Sequence, residues 1–397
     1  MHGFVWLDRH VDPTTPSDLR LLPPLRVSSD TSHFPYSHPT GHRSAIRISR
    51  IVSETLRSKA FEGRDVRWLV MGDDDTVFVA ENLVRVLNKY DHNGFYYVGS
   101  HSESHVQNVE FSFNMAFGGG GFAVSYPLAV ELEKMQDRCI KRYPYLYGSD
   151  DRMHACMAEL GVTLTREPGF HQMDIHGDPF GLLAAHPLAP LVSLHHLDVI
   201  DPIFPKMSRV DAINHLFRPS KLDPSALAQQ SICYVGNKWT VSVSWGYAVQ
   251  VMHGVVPPRE MERAPRTFKN WRMSMSEKWD FAFDTRASSG NACENPPVYY
   301  MSTARREGNG TVTEYMRRYH RVRKCRRRMA AGGLKSIERV VVYKEIEPPL
   351  EGTKSPRRNA CRAIIKKRIM KVYVGPFMDG EVIEGDTIWG GSNCLTA

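Results

Sequence analysis

The segment that most constrains this chain is VRWLVMGDDDTVFV, residues 66–79. Its apolar run has the length of a strand and lacks polar alternation, which predicts a strand covered on both faces in a parallel or mixed sheet. Covering both faces of a sheet calls for helices, so the expected fold class is α/β. Three adjacent aspartates, Asp73, Asp74 and Asp75, then stand where the strand ends. Neighbouring carboxylates repel one another and need a partner once desolvated. Ligands of open α/β sheets bind at the carboxyl ends of strands, so a hard cation is the expected partner. A solvated acidic turn is the alternative, and the buried strand leading into the aspartates weighs against it. If the segment is extended, Asp73 and Asp75 point to one side and Asp74 to the other.

The remaining periodicities extend this reading. RSAIRISRIVSETLRSKA (43–60) has apolar residues at helical spacing and predicts one amphipathic helix. VAENLVRVLNKYD predicts a second helix, GFYYVGS a strand, MAFGGGGFAVSYPLAVELEKM a glycine loop leading to a strand end and helix, and DDRMHACMAELGV another helix. MHGFVWLD predicts a short buried strand, and PTTPSDLRLLPPLRVSSDTSHFPYSHPTGH a loop. From about residue 206 the texture changes. SICYVGNKWTVSVSWGYAVQVMHG, RVVVYKEIEP and AIIKKRIMKVYVG alternate apolar and polar residues and predict antiparallel strands. STARREGNGTVTE (302–314) has the composition of a linker. Three segments follow: an α/β domain over 1–205, a second over 206–300, and a basic linker with a β-rich tail over 301–397.

Charge and cysteine usage exclude several classes. The net charge of +8 owes much to one run, RRYHRVRKCRRR at 317–328. That run lacks interleaved aromatics and any nucleic-acid module, so a solvated basic face is expected and no nucleic-acid partner. No stretch reaches the roughly 18 apolar residues of a membrane span, and the N-terminus lacks the pattern of a signal peptide. Seven cysteines without a CxxC pair argue against a zinc ribbon or thioredoxin-type site. Cys139 and Cys156 could pair in an oxidising compartment or remain two free thiols.

Three further motifs carry chemistry. Gly118, Gly119, Gly120 and Gly121 remove side-chain bulk and permit positive φ, yet match neither a Walker loop nor GxGxxG. Asp150 and Asp151 open a helix, where a carboxylate commonly caps, and two in a row leave one available as a general base. His195 and His196 follow an apolar run, and a neutral imidazole suits Mn²⁺. The group His171, Asp174, His176 and Asp178 has a metal-like composition but no metal-like spacing, and is expected to be loop.

In this order the motifs resemble the Fringe-like and β-1,3-galactosyltransferase-like glycosyltransferases of family 31 type, closest to a plant branch of Fringe-related proteins. The resemblance rests on GHRSAIRISRIV, VRWLVMGDDDTVFV, YYVGSHSESHVQN, GGGGFAVSYPLA, LYGSDDR, GLLAAHPLAPLVSLHHLD and SVSWGYAVQV, and covers residues 1 to about 300. It implies a GT-A, Rossmann-like domain and an inverting, Mn²⁺-dependent hexosyltransferase that moves a sugar from a UDP-sugar to a glycan or glycoconjugate hydroxyl, with a β-1,3 linkage. By position, Asp73, Asp74 and Asp75 match the aspartate motif on the donor diphosphate, with Asp73 and Asp75 on the metal and Asp75 its most direct ligand. His196 matches the histidine that completes the metal site. Asp151 matches the base, with Asp150 beside it, and Gly118 to Gly121 match a loop lining donor and acceptor. The resemblance also implies a lumenal Golgi location, a membrane anchor, and an N-terminal strand and helix that do not precede Met1. A Mg²⁺-dependent phosphoryl-transfer enzyme and a catalytically inactive glycan-binding or scaffold relative are the alternatives.

Overall fold

A computed structural model describes residues 2–11, 23–59, 61, 63–272, 280–289, 295–317, 337–346 and 357–377. Most of the basic run, from residue 318 onward, lies outside the described residues. The chain divides into two compact units, one within 1–76, 85–102 and 107–173, the other within 77–84, 103–106 and 174–397.

In chain order, β1 (Val5–Leu7) pairs in parallel with β2 (Leu25–Val27). Then come α1 (Ser44–Ser49), α2 (Ile51–Arg57), β3 (Trp68–Met71), β4 (Val77–Phe78), α3 (Ala80–Leu87), β5 (Tyr97–Gly99) and α4 (His105–Glu110). The next elements are β6 (Phe122–Ser125), α5 (Tyr126–Arg142), α6 (Ser149–Glu159), β7 (Leu164–Arg166), β8 (Ile175–Gly177), α7 (Phe180–Ala184), β9 (Ser193–Leu194) and α8 (Arg209–Ser220). The β-rich part comprises β10 (Gln230–Val235), β11 (Trp239–Ser244), β12 (Ala248–His253), α9 (Pro258–Glu262), β13 (Ala264–Pro265), β14 (Phe268–Asn270) and β15 (Thr285–Arg286). It ends with β16 (Val298–Glu307), β17 (Gly310–Arg317), β18 (Arg339–Glu345), β19 (Ala360–Lys366) and β20 (Ile369–Gly375). The fold is mixed α/β with a β-rich C-terminal part.

The first unit is built on a four-stranded sheet in the order β3-β6-β5-β7. Only β5 and β7 are parallel; β6 runs antiparallel to both β3 and β5. The VRWLVMG strand therefore occupies an edge among the described strands, and three of its four residues are half-buried. Its apolar character serves one packed face, where Leu69 joins Tyr97, Phe122, Val124, Leu128, Leu132 and Met153 in a common core. The predicted amphipathic helix is broken into α1 and α2 at Arg50, whose guanidinium is drawn to Glu54 at 2.6 Å and Asp137 at 2.8 Å. Both Arg50 and Glu54 are buried, so the desolvation of each charge is offset by its partners. Cys139 of α5 and Cys156 of α6 form a disulfide with Cα atoms 5.8 Å apart.

In the second unit eight strands run in the order β10-β11-β12-β16-β17-β18-β20-β19. Cys233 of β10 and Cys361 of β19 are disulfide-bonded, so the two ends of that order are tied together and the sheet curls toward a barrel. The predicted antiparallel pairings hold for β10-β11-β12, whereas β18 and β20 are parallel. Alternation along β11 does not mark a wet face: Thr240, Ser242 and Ser244 are buried too. Their hydroxyls are used internally, Thr240 donating to the Gly254 carbonyl and Ser244 to that of Leu183, each at 2.8 Å. STARREGNGTVTE is not a linker but the β16–β17 hairpin, turning at Gly308 with φ 55°. Its charged residues Arg305, Arg306 and Glu307 lie on the exposed end of β16, while Thr311 and Thr313 are buried on β17, a difference that composition alone cannot show. Among the described residues, no helix is long and apolar enough to cross a membrane.

Losing the Cys233–Cys361 bridge, which closes a sequence separation of 128 residues, releases chain entropy in the unfolded state. Cys361→Ser is expected to lower stability by about 2–4 kcal/mol, measured as the denaturant midpoint, and reduced wild type, which loses Cys139–Cys156 as well, by more.

Candidate functional site

In the first unit, three of the sequence motifs meet. Strand β3 stops at Met71, and the aspartates form a turn rather than an extended run: the Thr76 amide donates to the Asp73 carbonyl at 3.1 Å. The Thr76 hydroxyl accepts from the Asp73 amide at 2.7 Å and donates to the Gly119 carbonyl at 2.8 Å. The aspartates are thus not an extended segment as expected, yet Asp73 and Asp75 still bring their carboxylates together. Asp73 and Asp74 are exposed and Asp75 is half-buried. Carboxylate oxygens of Asp73 and Asp75 lie within 4.8 Å of one another. A hard cation with ligand distances of about 2.1 Å can span such a pair after small side-chain rotations.

Gly118 to Gly121 form a buried tight turn, with the Gly121 amide donating to the Gly118 carbonyl at 2.9 Å and Gly121 at φ 82°. The Gly120 amide donates to Gln172 Oε1 at 2.7 Å, so that amide serves the turn's own packing. Glycine is needed at 118 for space: a Cβ there would lie 2.5 Å from Asp150 Oδ1. Gly118→Ala is expected to lower stability by about 1–3 kcal/mol, since the Asp150 side chain must be displaced. Thermal melts of Gly118→Ala alone and with Asp150→Ala check this, because removing the clashing carboxylate should recover most of the loss.

Helix α6 opens from Gly148 without a side-chain cap, which places Asp150 and Asp151 inside the first turn. Neither carboxylate is the N-cap that helix-start statistics suggest. Asp150 adjoins Gly118 and also acts on the fully buried Tyr97, whose phenol is pushed up first by burial and then by the Asp150 charge. Asp151 is held above the usual carboxylate range by burial, opposed in part by His154, the Tyr147 backbone, Arg152 and His38. A carboxylate whose pKa is raised is a stronger proton acceptor once it is ionised. Arg152 does not neutralise the pair directly: its guanidinium donates to the Gly148 carbonyl at 2.8 Å and stacks 4.9 Å above the Tyr36 ring.

In the second unit, β9 pairs antiparallel with β4, Val77 opposite Leu194. Val77 lies two residues after Asp75 in the chain, and Leu194 immediately precedes His195. His195 is buried, its ring 3.7 Å from that of His196. His196 has φ 51°, a left-handed conformation uncommon for a non-glycine residue and enriched at functional sites. It stacks on Trp271 with ring centroids 4.3 Å apart, Trp271 stacks in turn on His176 at 4.6 Å, and Asp174 Oδ1 lies 3.7 Å from His196 Nδ1. Asp174 and His176 thus belong to the histidine cluster instead of an idle loop. His171 is buried in the first unit, and Asp178 accepts from the Phe180 amide at 2.9 Å at the start of α7.

Sequence reasoning missed Thr76, Tyr97, Gln172 and Trp271, and set Asp174 aside as loop. The only local signals were the adjacency of Thr76 to the aspartates and the polar composition around Gln172 and Asp174. Nothing in the sequence linked Trp271 to the histidines. A family model described as "Protein of unknown function, DUF604" matches residues 107–361, more than half of the chain. No curated protein matches.

Proposed function

Because the chain belongs to the DUF604 family, whose description assigns no activity, we propose a function from the site itself: transfer of a sugar from a UDP-sugar to an acceptor hydroxyl, with inversion, aided by a divalent cation. The observation that carries this reading is that the aspartate turn, the glycine turn and the Asp150–Asp151 pair converge in one unit. The motif order that resembles Fringe-like transferases supports it, as does the α/β character of that unit; a GT-A arrangement is part of the proposal.

Asp73 and Asp75 are the proposed ligands for Mn²⁺, and the family resemblance adds the imidazole of His196 as a third donor. Two carboxylates and an imidazole make a hard to borderline set suited to this ion. When bound, the metal would supply charge stabilisation to the departing diphosphate. Asp151 takes the proton of the acceptor hydroxyl as that oxygen bonds to the anomeric carbon. The bond from that carbon to the donor phosphate breaks, and UDP leaves with its electron pair. Asp150 and the glycine turn hold Asp151's helix start against the aspartate turn. A lumenal, Golgi-type location belongs to the same reading and is supported by two disulfides, which persist in oxidising compartments.

A panel of UDP-sugars assayed for UDP release with Mn²⁺ tests the proposal. Release that depends on the ion and stops with EDTA is expected for at least one donor. Glycan binding without any release would leave an inactive glycan-binding relative, and metal-dependent phosphodiester cleavage would replace sugar transfer with phosphoryl chemistry.

A further inference from the structure

An aromatic surface flanks the acidic pair in the first unit and is unused by the mechanism above. Tyr147 lies four residues before Asp151 in the loop that opens α6. Its ring meets His38 edge-on at 5.2 Å and Phe111 at 5.8 Å, and Phe111 meets Phe117 edge-on at 6.2 Å. Phe117 directly precedes Gly118, which packs on Asp150. The rings therefore run from one flank of the acidic pair to the other. Tyr147 is 44% exposed, and Phe113, two residues beyond Phe111, is likewise 44% exposed.

The position of Tyr147 is prepared from behind. Its carbonyl accepts from the Tyr36 hydroxyl at 3.0 Å, the Tyr36 ring lies under Arg152, and Arg152 holds the next carbonyl, that of Gly148. A half-exposed aromatic ring on a braced loop loses little conformational freedom when a ligand covers it. Its face carries the negative side of the ring quadrupole and attracts polarised C–H bonds, while the Tyr147 hydroxyl and the His38 imidazole can serve the polar rim of a ligand.

We propose that Tyr147 and Phe111, with His38 beside them, form a stacking platform for a pyranose ring of the acceptor, which presents one hydroxyl to Asp151. A pyranose matches this surface: it has a C–H face to lay on the rings and a rim of hydroxyls. His38 Nδ1 already accepts from the Thr40 and Gly41 amides, which leaves His38 Nε2 and the Tyr147 hydroxyl as the polar groups that a purely apolar ligand would not use. The inference rests on the reading of Asp151 as the base, since the platform's place beside that residue is what makes its occupant the acceptor.

Saturation-transfer NMR on the whole chain tests it, with methyl β-D-galactopyranoside as the probe, both with and without Mn²⁺ and UDP. Its C3, C4 and C5 protons share one face and should receive the most saturation. Tyr147→Leu, which keeps apolar bulk without a ring, should reduce the transfer about fivefold, the scale of one lost aromatic stack. Tyr147→Phe should retain it, and melting curves of both variants will establish that they fold. No transfer under either condition, or equal transfer in wild type, Tyr147→Leu and a folded Phe111→Leu, overturns the platform. UDP release measured without acceptor separates this from the parent reading. Tyr147-dependent sugar binding without any UDP release would keep the platform and remove the transferase, and UDP release without ring-dependent binding would do the reverse.

Discussion

Asp75→Ala is expected to reduce Mn²⁺-dependent UDP release about a thousandfold or more, the kinetic equivalent of several kcal/mol of lost charge stabilisation. Asp75 is the half-buried member of the aspartate turn, and its carboxylate lies within reach of that of Asp73. Asp74→Ala serves as the comparison, because Asp74 is exposed. The loss in Asp75→Ala should appear as weakened Mn²⁺ binding by calorimetry, and raising the ion concentration should restore part of the rate. An Asp75→Ala protein that binds Mn²⁺ with wild-type affinity would remove this residue from the metal site. His196→Ala, measured alongside, tests the donor that the family resemblance adds: weaker Mn²⁺ binding is expected, and wild-type affinity would remove His196 from the ligand set.

Asp151→Asn should leave donor and metal affinity in place and lower turnover by about 10²–10⁴-fold, the usual contribution of a positioned general base. Because burial raises the Asp151 pKa, wild-type activity should fall as the pH drops through that raised value, and the residual activity of Asp151→Asn should lose this limb. Stability carries the opposite signature. A carboxyl whose folded pKa lies above its unfolded value of about 3.8 stabilises the fold below that value, and this contribution is lost as the pH rises through the folded pKa. Above its folded pKa the charged group is therefore a cost, and there Asp151→Asn should melt at a higher temperature than wild type, with the gap closing as the pH falls below the unfolded value. Turnover near the wild-type level in Asp151→Asn would dismiss it as the base whatever its effect on melting.

Several elements were legible without coordinates. The apolar periodicity of VAENLVRVLNKYD, the alternation of β10 to β12 and the acidic helix start at 150–151 depend on local spacing and appear where they were expected. Other features escaped because they depend on residues distant in sequence. VRWLVMG reads as a strand covered on both faces, yet of β3 only Leu69 is buried, since what packs on a strand is chosen by the fold and not by the run itself. STARREGNGTVTE reads as a linker, but a neighbouring strand supplies the ladder that turns a polar segment into a hairpin arm. Cys139 and Cys156 could be suspected of pairing; Cys233 and Cys361 could not, because only sheet curvature brings β10 to β19.

The candidate site divides in the same way. Sequence alone determined which side chains can do chemistry: three carboxylates after an apolar strand, two more at a helix start and a histidine pair, since residue type and local spacing set the donor atoms available. Tertiary structure decided how they are used. Thr76 bends the aspartates into a turn and ties it to Gly119, Gly118 makes room for Asp150, and burial lifts the Asp151 pKa. Those outcomes rest on close packing and desolvation, which arise only when segments far apart in the chain exclude water from one another.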